Sequence, residues 1–195
     1  MRRMKPIQLP LSVHLSAEQS FDSYVADTNA DAVASLKKQL TSGAVPLLYL
    51  WGYEGTGTTH LLQAACNAAT DNNKTCVYIP VEQFANKDAS MLEGLEQLDL
   101  VCIDHLQCVA NQRSWNEALF HLFNRILAAG GALLVAADQP PQALGLLLPD
   151  LTSRLASCVV YHIQSLSDHG KRVLLEKRAA LKGLKLSEEA ALFIL

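Results

Sequence analysis

The sequence predicts an α/β chain: a parallel five-stranded sheet between helices, followed by a truncated helical lid. Three observations carry this. Five apolar runs of strand length recur along the chain, helical patterns separate them, and a glycine-rich turn leaves the first run and opens a helix. Strand–helix alternation with almost unbroken apolar strands is the pattern of a parallel sheet covered on both faces.

In chain order, residues 1–20 contain Pro and Ser without clear periodicity and read as an extended arm. Ala32, Val33, Leu36 and Leu40 stand at helical spacing within 30–41, and Gly43 and Pro46 then punctuate the chain. The strand-like runs are 47–51 (LLYLW), 76–80 (CVYIP), 99–103 (DLVCI), 132–137 (ALLVAA) and 158–163 (CVVYHI). Helical patterns occupy 58–70, 88–97, 114–129 and 149–156. From Ser167 the character changes: 167–182 reads as an amphipathic helix rich in Lys and Arg, Gly183 breaks it, and Ser187-Glu188-Glu189 starts another. Leu195 falls inside an apolar pattern with no cap, so the lid is expected to be incomplete. The organisation read from this is an arm over 1–20, an α/β domain over 21–165 and a partial lid over 166–195.

Bulk properties narrow the function. The 195 residues, half of them apolar, allow one sizeable core. A net charge of −3 with dispersed Lys and Arg argues against a bare electrostatic grip on nucleic acid. The five cysteines form no C-x-x-C pair; Cys76, Cys102 and Cys158 sit in strand-like runs, and the expectation is buried, reduced thiols in a cytosolic protein. The positively charged start lacks an apolar stretch of signal-peptide length, and no run approaches the roughly 18 apolar residues of a membrane span. A cytoplasmic chain with no membrane partner is expected.

The strongest motif is GYEGTGTT, Gly52 to Thr59, which follows the first strand-like run and opens a helix at His60. A P-loop reads G-x-x-x-x-G-K-[ST] in that context. Gly52, Gly57 and Thr59 match, and Thr58 stands where the lysine belongs. Main-chain N–H groups of Gly55, Thr56, Gly57, Thr58 and Thr59 at a helix N-terminus can surround phosphate oxygens without any side chain. The missing charge lies where the β- and γ-phosphates sit, so hydrolysis should suffer more than binding. A second motif, DLVCIDHLQ over 99–107, ends an apolar strand in Asp104, the position that helps hold Mg²⁺ in such sites, with Thr59 offering a hydroxyl to the same ion. His105 stands where an acidic residue orients the attacking water in many relatives of this motif. It could accept a proton near neutral pH or simply cap the loop. Thr58 and His105 both depart in the direction of slow turnover.

From Phe21 onward the order of motifs resembles the AAA+ domain of the DnaA family of bacterial replication initiators and, within that family, its regulatory members. The matching pieces are FDSYV (21–25) with Asn29, WGYEGTGTTHLLQAAC (51–66), LEQLDLVCIDHLQ (95–107), WNEALFHLFNRIL (115–127), ADQPP (137–141), LPDLTSRL (148–155) and LSDHGKRVLLEKRAALKGL (166–184). The resemblance implies that Phe21, Tyr24 and Val25 flank a nucleotide base. It implies that Gly52, Gly55, Thr56, Gly57, Thr58, Thr59, His60 and Asp104 surround the phosphates, and that Asp138 is the polar sensor at the end of the fourth strand. Arg154 matches the arginine finger that reaches a neighbouring subunit's nucleotide. The arm segment Gln8-Leu9-Pro10-Leu11-Ser12-Val13 is similar to the hexapeptide with which those regulators bind the replicative sliding clamp. Leu11 and Val13 suit an apolar pocket, Gln8 directional hydrogen bonds, and Pro10 keeps the peptide extended.

The expectation that follows is a regulator of replication initiation that carries ADP or another nucleoside di- or triphosphate, with Mg²⁺ where present. It would bind the clamp and stimulate hydrolysis of DnaA-bound ATP, itself hydrolysing weakly. DNA contact would be indirect, through the clamp, and self-association through nucleotide-dependent faces stays open. Two other readings remain at this stage: a self-sufficient, helicase-loader-like ATPase, and a nucleotide-free adaptor joining clamp to initiator.

Overall fold

The structure is a computed structural model that describes residues 15, 16, 18–41, 47–187, 190, 191 and 194. The hexapeptide 8–13, the turn at Gly43 and Pro46, and the pair at 188–189 lie outside the described residues.

Helix α1 (Ala30–Thr41) precedes β1 (Leu47–Trp51) and α2 (Thr58–Asp71). There follow β2 (Cys76–Pro80), β3 (Leu100–Asp104), α3 (Arg113–Ala129), β4 (Ala132–Ala137), α4 (Pro149–Ala156), β5 (Val159–His162) and α5 (Asp168–Leu181). The sheet is parallel throughout, in the order β2-β3-β4-β1-β5. Two hydrophobic clusters cover its faces, as the apolar runs required. Val101, Ile103, Leu133 and Val135 turn toward α3 and α4, where Trp115, Leu119, Phe123, Ile126, Leu151 and Leu155 meet them. Their strand neighbours Leu100, Cys102, Leu134 and Ala136 turn the other way, onto Leu36 of α1 and Leu61, Leu62 and Cys66 of α2. One residue of register shift would exchange the two faces, and because both are apolar the register is fixed by side-chain shape and loop length.

Four sequence expectations need correction. The segment 88–97 is two 3₁₀ turns, Ala89–Leu92 and Leu95–Gln97. The Asp88 side chain caps the first by accepting from the Ser90 N–H (2.9 Å), and Gly94, at φ +81°, interrupts any continuous helix. The fifth strand, which with β2 forms the edges of the sheet, has Val159 and Val160 exposed and so lacks the two-sided cover its apolar run suggested. Cys158 lies just before that strand rather than in it. All five thiols are free, but Cys108 is exposed where burial was expected.

Asn116, fully buried in α3, ties the loops of this fold together. Its side-chain amide faces the carbonyls of Val109 (3.1 Å), Ala110 (3.0 Å) and Gln112 (2.8 Å). Its Oδ1 accepts from the N–H groups of Leu147 (2.9 Å) and Leu148 (3.3 Å), directly before α4. Removing a buried partner leaves groups that neither water nor protein can satisfy. Asn116→Ala should therefore lower unfolding free energy by about 2–4 kcal/mol in urea titration; a loss below about 1 kcal/mol would show that these loops find other partners.

Candidate functional site

The strand order places β4 between β1 and β3. Trp51 pairs with Ala137 and Ile103 with Val135, so the chain leaves the sheet side by side at Gly52, Asp138 and Asp104. Open α/β sheets bind ligands outside the carboxyl ends of their strands. An open cleft of about 670 Å³ lies there, lined by the whole 52–60 segment, Tyr24, Val25, Glu82, Asp104, His105, Asp138 and the lid residues Leu166, Leu174 and Arg178.

The loop is braced from within. Thr56 is buried and its hydroxyl donates to the Tyr53 carbonyl (2.7 Å). Gly57, at φ +93°, starts α2, and a Cβ there would meet the Tyr24 ring at 2.9 Å. The Tyr24 hydroxyl donates to the Thr56 carbonyl at 3.4 Å. Burial pushes the Tyr24 phenol up to about 12, so it remains a neutral donor. Among the described residues, the N–H groups of Gly57, Thr58, Thr59 and His60 find no acceptor. They point outward from the first turn of a 14-residue helix, an arrangement suited to an anion.

Asp104 is buried at the end of β3. One carboxylate oxygen accepts from the Tyr78 hydroxyl (2.7 Å), the other from the His105 N–H (2.9 Å). Burial, with this carboxylate beside it, raises the Tyr78 phenol, so the hydroxyl stays protonated and donating. His105 adopts the left-handed conformation (φ +57°), and its carbonyl accepts from Cys108 N–H (3.0 Å), so it caps a turn. Its ring nitrogens lie 3.5 Å from Asp104 and 3.9 Å from Glu82, and Nδ1 has no hydrogen-bond geometry to the nearer carboxylate. Asp138 Oδ1 is buried and unpartnered among the described residues. For Mg²⁺, Asp104 and Thr59 bring one carboxylate and one hydroxyl to the cleft, and both Asp104 oxygens keep a free lone pair. No group of three or more His, Cys, Asp or Glu side chains that could hold a metal occurs among the described residues, so such an ion would complete its shell with phosphate and water.

His60 faces inward, its Nε2–H donating to the Ser20 carbonyl (2.8 Å) and its ring edge-on to Tyr24. Burial holds the imidazole below its ordinary value, so it is neutral at pH 7. Phe21 is absent from the cleft wall. It packs against the α1–α2 side of the core, with the Lys37 ammonium 5.3 Å from its ring. Asn29 is a structural clamp: its side chain donates to the Gln164 carbonyl (2.9 Å) and accepts from the Gln164 N–H (2.8 Å). Arg154 lies outside the cleft, exposed in the last turn of α4, and has no carboxylate partner among the described residues. Sequence reasoning missed Glu82, Gln107, Cys108, Leu174 and Arg178. Glu82 and Cys108 lie outside the quoted motifs, and Gln107, Leu174 and Arg178 lie within them at positions to which the resemblance gave no role.

A sequence model described as the bacterial DnaA ATPase domain matches residues 15–162. An uncharacterised protein of Haemophilus influenzae is 40% identical over 189 residues, which span 96% of this chain and 82% of that protein. Domain III of the Thermotoga maritima replication initiation protein DnaA superposes with a TM-score of 0.83 at 25% identity, covering 93% of this chain and 81% of that one. AMPPCP-bound DnaA from Aquifex aeolicus has the same fold, with a TM-score of 0.79 at 24% identity over 93% of this chain and 61% of that one. No helix among the described residues is long and apolar enough to cross a membrane. By the extent of the family match, this chain belongs to the bacterial DnaA ATPase domain family, with the parallel five-stranded AAA+ fold of that family.

Proposed function

We propose that this chain is a regulator of replication initiation of the Hda type, working in the cytoplasm. It holds ADP over Gly55–Thr59, docks on the sliding clamp through Gln8–Val13, and presents Arg154 to ATP bound by DnaA. Hydrolysis of the initiator's ATP follows, and re-initiation is prevented. The observation that carries this reading is the placement of Arg154: on a short helix fixed by Pro149 at its start and by the Asn116 bonds before it, exposed and unpaired among the described residues, away from the chain's own cleft. The helix fixes where the guanidinium leaves the main chain, and with no partner of its own among the described residues it is free to meet a neighbour's phosphate.

The chain's own cleft supports weak turnover. Thr58 supplies no charge, both Asp104 oxygens accept protein hydrogen bonds, and the residue after Asp104 caps a turn instead of presenting a carboxylate. The outward amides of Gly57–His60 favour a bound anion over an empty adaptor. Within this reading the nucleotide is a structural ligand that stabilises by mass action the form presenting Arg154.

Two outcomes are expected. In a DnaA–ATP hydrolysis assay with clamp loaded on DNA, Arg154→Ala should lose roughly 10³-fold or more of the stimulation while its melting temperature and clamp capture stay unchanged. Normal stimulation by that variant would remove the finger role, and brisk hydrolysis by the isolated wild-type chain would favour the self-sufficient ATPase. Replacing Leu11 and Val13 together by Ala should abolish clamp capture and leave the fold intact; retained capture would exclude the arm as the clamp ligand.

A further inference from the structure

The apolar side of α2 packs on the sheet through Leu61, Leu62, Ala65 and Cys66. A second side, marked by His60, Gln63 and Asn67 at helical spacing, is polar. These three side chains grip the main chain that precedes Tyr24. Gln63 Oε1 accepts from the Ser16 N–H (3.3 Å), and the Asn67 amide donates to the carbonyls of Ser16 (3.1 Å) and Gln19 (2.7 Å). The next carbonyl, that of Ser20, is the one His60 holds. Asn67 itself lies outside the cleft wall.

We propose that Asn67 is a positioning residue for the phosphate loop: by fixing the segment 18–24 along α2 it keeps the Tyr24 ring against Gly57 and the loop amides aimed at an anion. The inference rests on the reading of the cleft as a nucleotide site and adds a residue to which no role was assigned. The grip reaches Tyr24 through short bonds. The Tyr24 N–H donates to the Ser20 carbonyl (3.2 Å), the same oxygen that His60 holds. The Ser20 N–H donates to the Ser23 hydroxyl (3.0 Å), the Ser23 N–H to the Ser20 hydroxyl (3.1 Å), and the Ser23 hydroxyl to the Glu18 carbonyl (2.6 Å). A displacement at Gln19 is therefore passed on to Tyr24. That ring leaves no room for a Cβ on Gly57, and its hydroxyl donates to the Thr56 carbonyl. In this way α2 braces the loop at its own N-terminus through a segment from earlier in the chain.

The brace matters more here than in a loop with its lysine. A fixed charge attracts phosphate even when the amides beside it are poorly aimed. Thr58 brings no charge, so affinity leans on the direction of the amides, and hydrogen bonds weaken steeply as alignment is lost. A loop that the ligand must first order binds it less tightly. The lid holds the same stretch of chain at other points. The Asp27 carboxylate accepts from the Ser167 N–H (2.6 Å), and Lys177 Nζ donates to the Asp22 carbonyl (3.1 Å). The α2 bonds fall on Ser16, Gln19 and Ser20, so the two supports are separable by mutation.

The test is calorimetric titration of the full chain with ADP and, by displacement of ADP, with inorganic pyrophosphate, which carries the tail without the base. Asn67→Ala and the near-isosteric Asn67→Leu should each weaken both ligands by the same factor, roughly tenfold. Asn72→Ala, which removes a bond confined to the end of the same helix, should titrate as the wild type. A double-mutant cycle separates positioning from a general loss of structure. In a Tyr24→Ala chain, where the brace is already gone, Asn67→Ala should change either affinity by less than about twofold. Effects that multiply in that cycle, or ADP binding by both Asn67 variants at wild-type strength, would overturn the proposal while the nucleotide reading stood. Weakened ADP with unchanged pyrophosphate would overturn it too, by confining the segment to the base side, as would a wild type that ADP enters and pyrophosphate does not. A wild-type chain that takes up no ADP would sink the nucleotide reading itself, and this inference with it.

Discussion

Gly52 leaves β1 where there is no room for a side chain. A Cβ there would meet the Ile163 carbonyl oxygen at 2.5 Å and the Thr56 hydroxyl at 2.6 Å. That close crossing is held by the Ile163 N–H on the Trp51 carbonyl (2.7 Å) and the Gly52 N–H on the Ala137 carbonyl (3.2 Å). The chain can therefore turn directly out of the sheet, and Thr56 can fold back under the turn. Gly57 can then begin α2 with its first amides facing the cleft. Every other feature of the site follows from this turn standing at the carboxyl edge of the sheet, with Asp138 and Asp104 leaving the neighbouring strands beside it. Substituting Gly52 would press on the Ile163 backbone on one side and, on the other, on the Thr56 side chain, which is buried and held by its hydrogen bond to Tyr53.

Charge around the cleft is divided between two bodies. The α/β body supplies dipoles and carboxylates, and the lid supplies the cation. In a P-loop with its lysine, one rigid element carries both the amide cradle and the charge. Here the two are separated by more than a hundred residues of chain and brought together by the Asp27, Lys177 and Asn29 bonds. Under the proposed function, this division suits a site in which a bound nucleotide sets the position of one part against another.

The strands and the loop were legible in the sequence because their signals are local. The apolar runs at 47–51, 76–80 and 132–137 coincide with β1, β2 and β4, and Gly183 (φ +71°) ends the lid helix where its position suggested. The 88–97 segment was misread because its apolar residues occur at helical intervals, yet Asp88 and Gly94 impose two short turns. Phe21 was placed at the base with Tyr24 and Val25, and Asn29 near them, by the resemblance of the whole segment to the family. Without a regular helix over 21–26, adjacency does not place side chains on one face, and Phe21 instead packs beside Lys37. Tyr78 on Asp104 and Arg178 in the cleft were invisible for a different reason. Each depends on pairing across the sheet or between domains, and no spacing rule encodes that.

The main chain of the loop offers its free amides as a clasp for an anionic tail, although no ammonium group stands beside them. Amide chemical shifts report it most directly. On addition of ADP to the isotopically labelled full chain, the N–H resonances of Gly55, Gly57, Thr58 and Thr59 should move further than any others, downfield as they gain a phosphate acceptor. If ADP left those four amides in place, or moved only residues elsewhere on the surface, the loop would not be the nucleotide site.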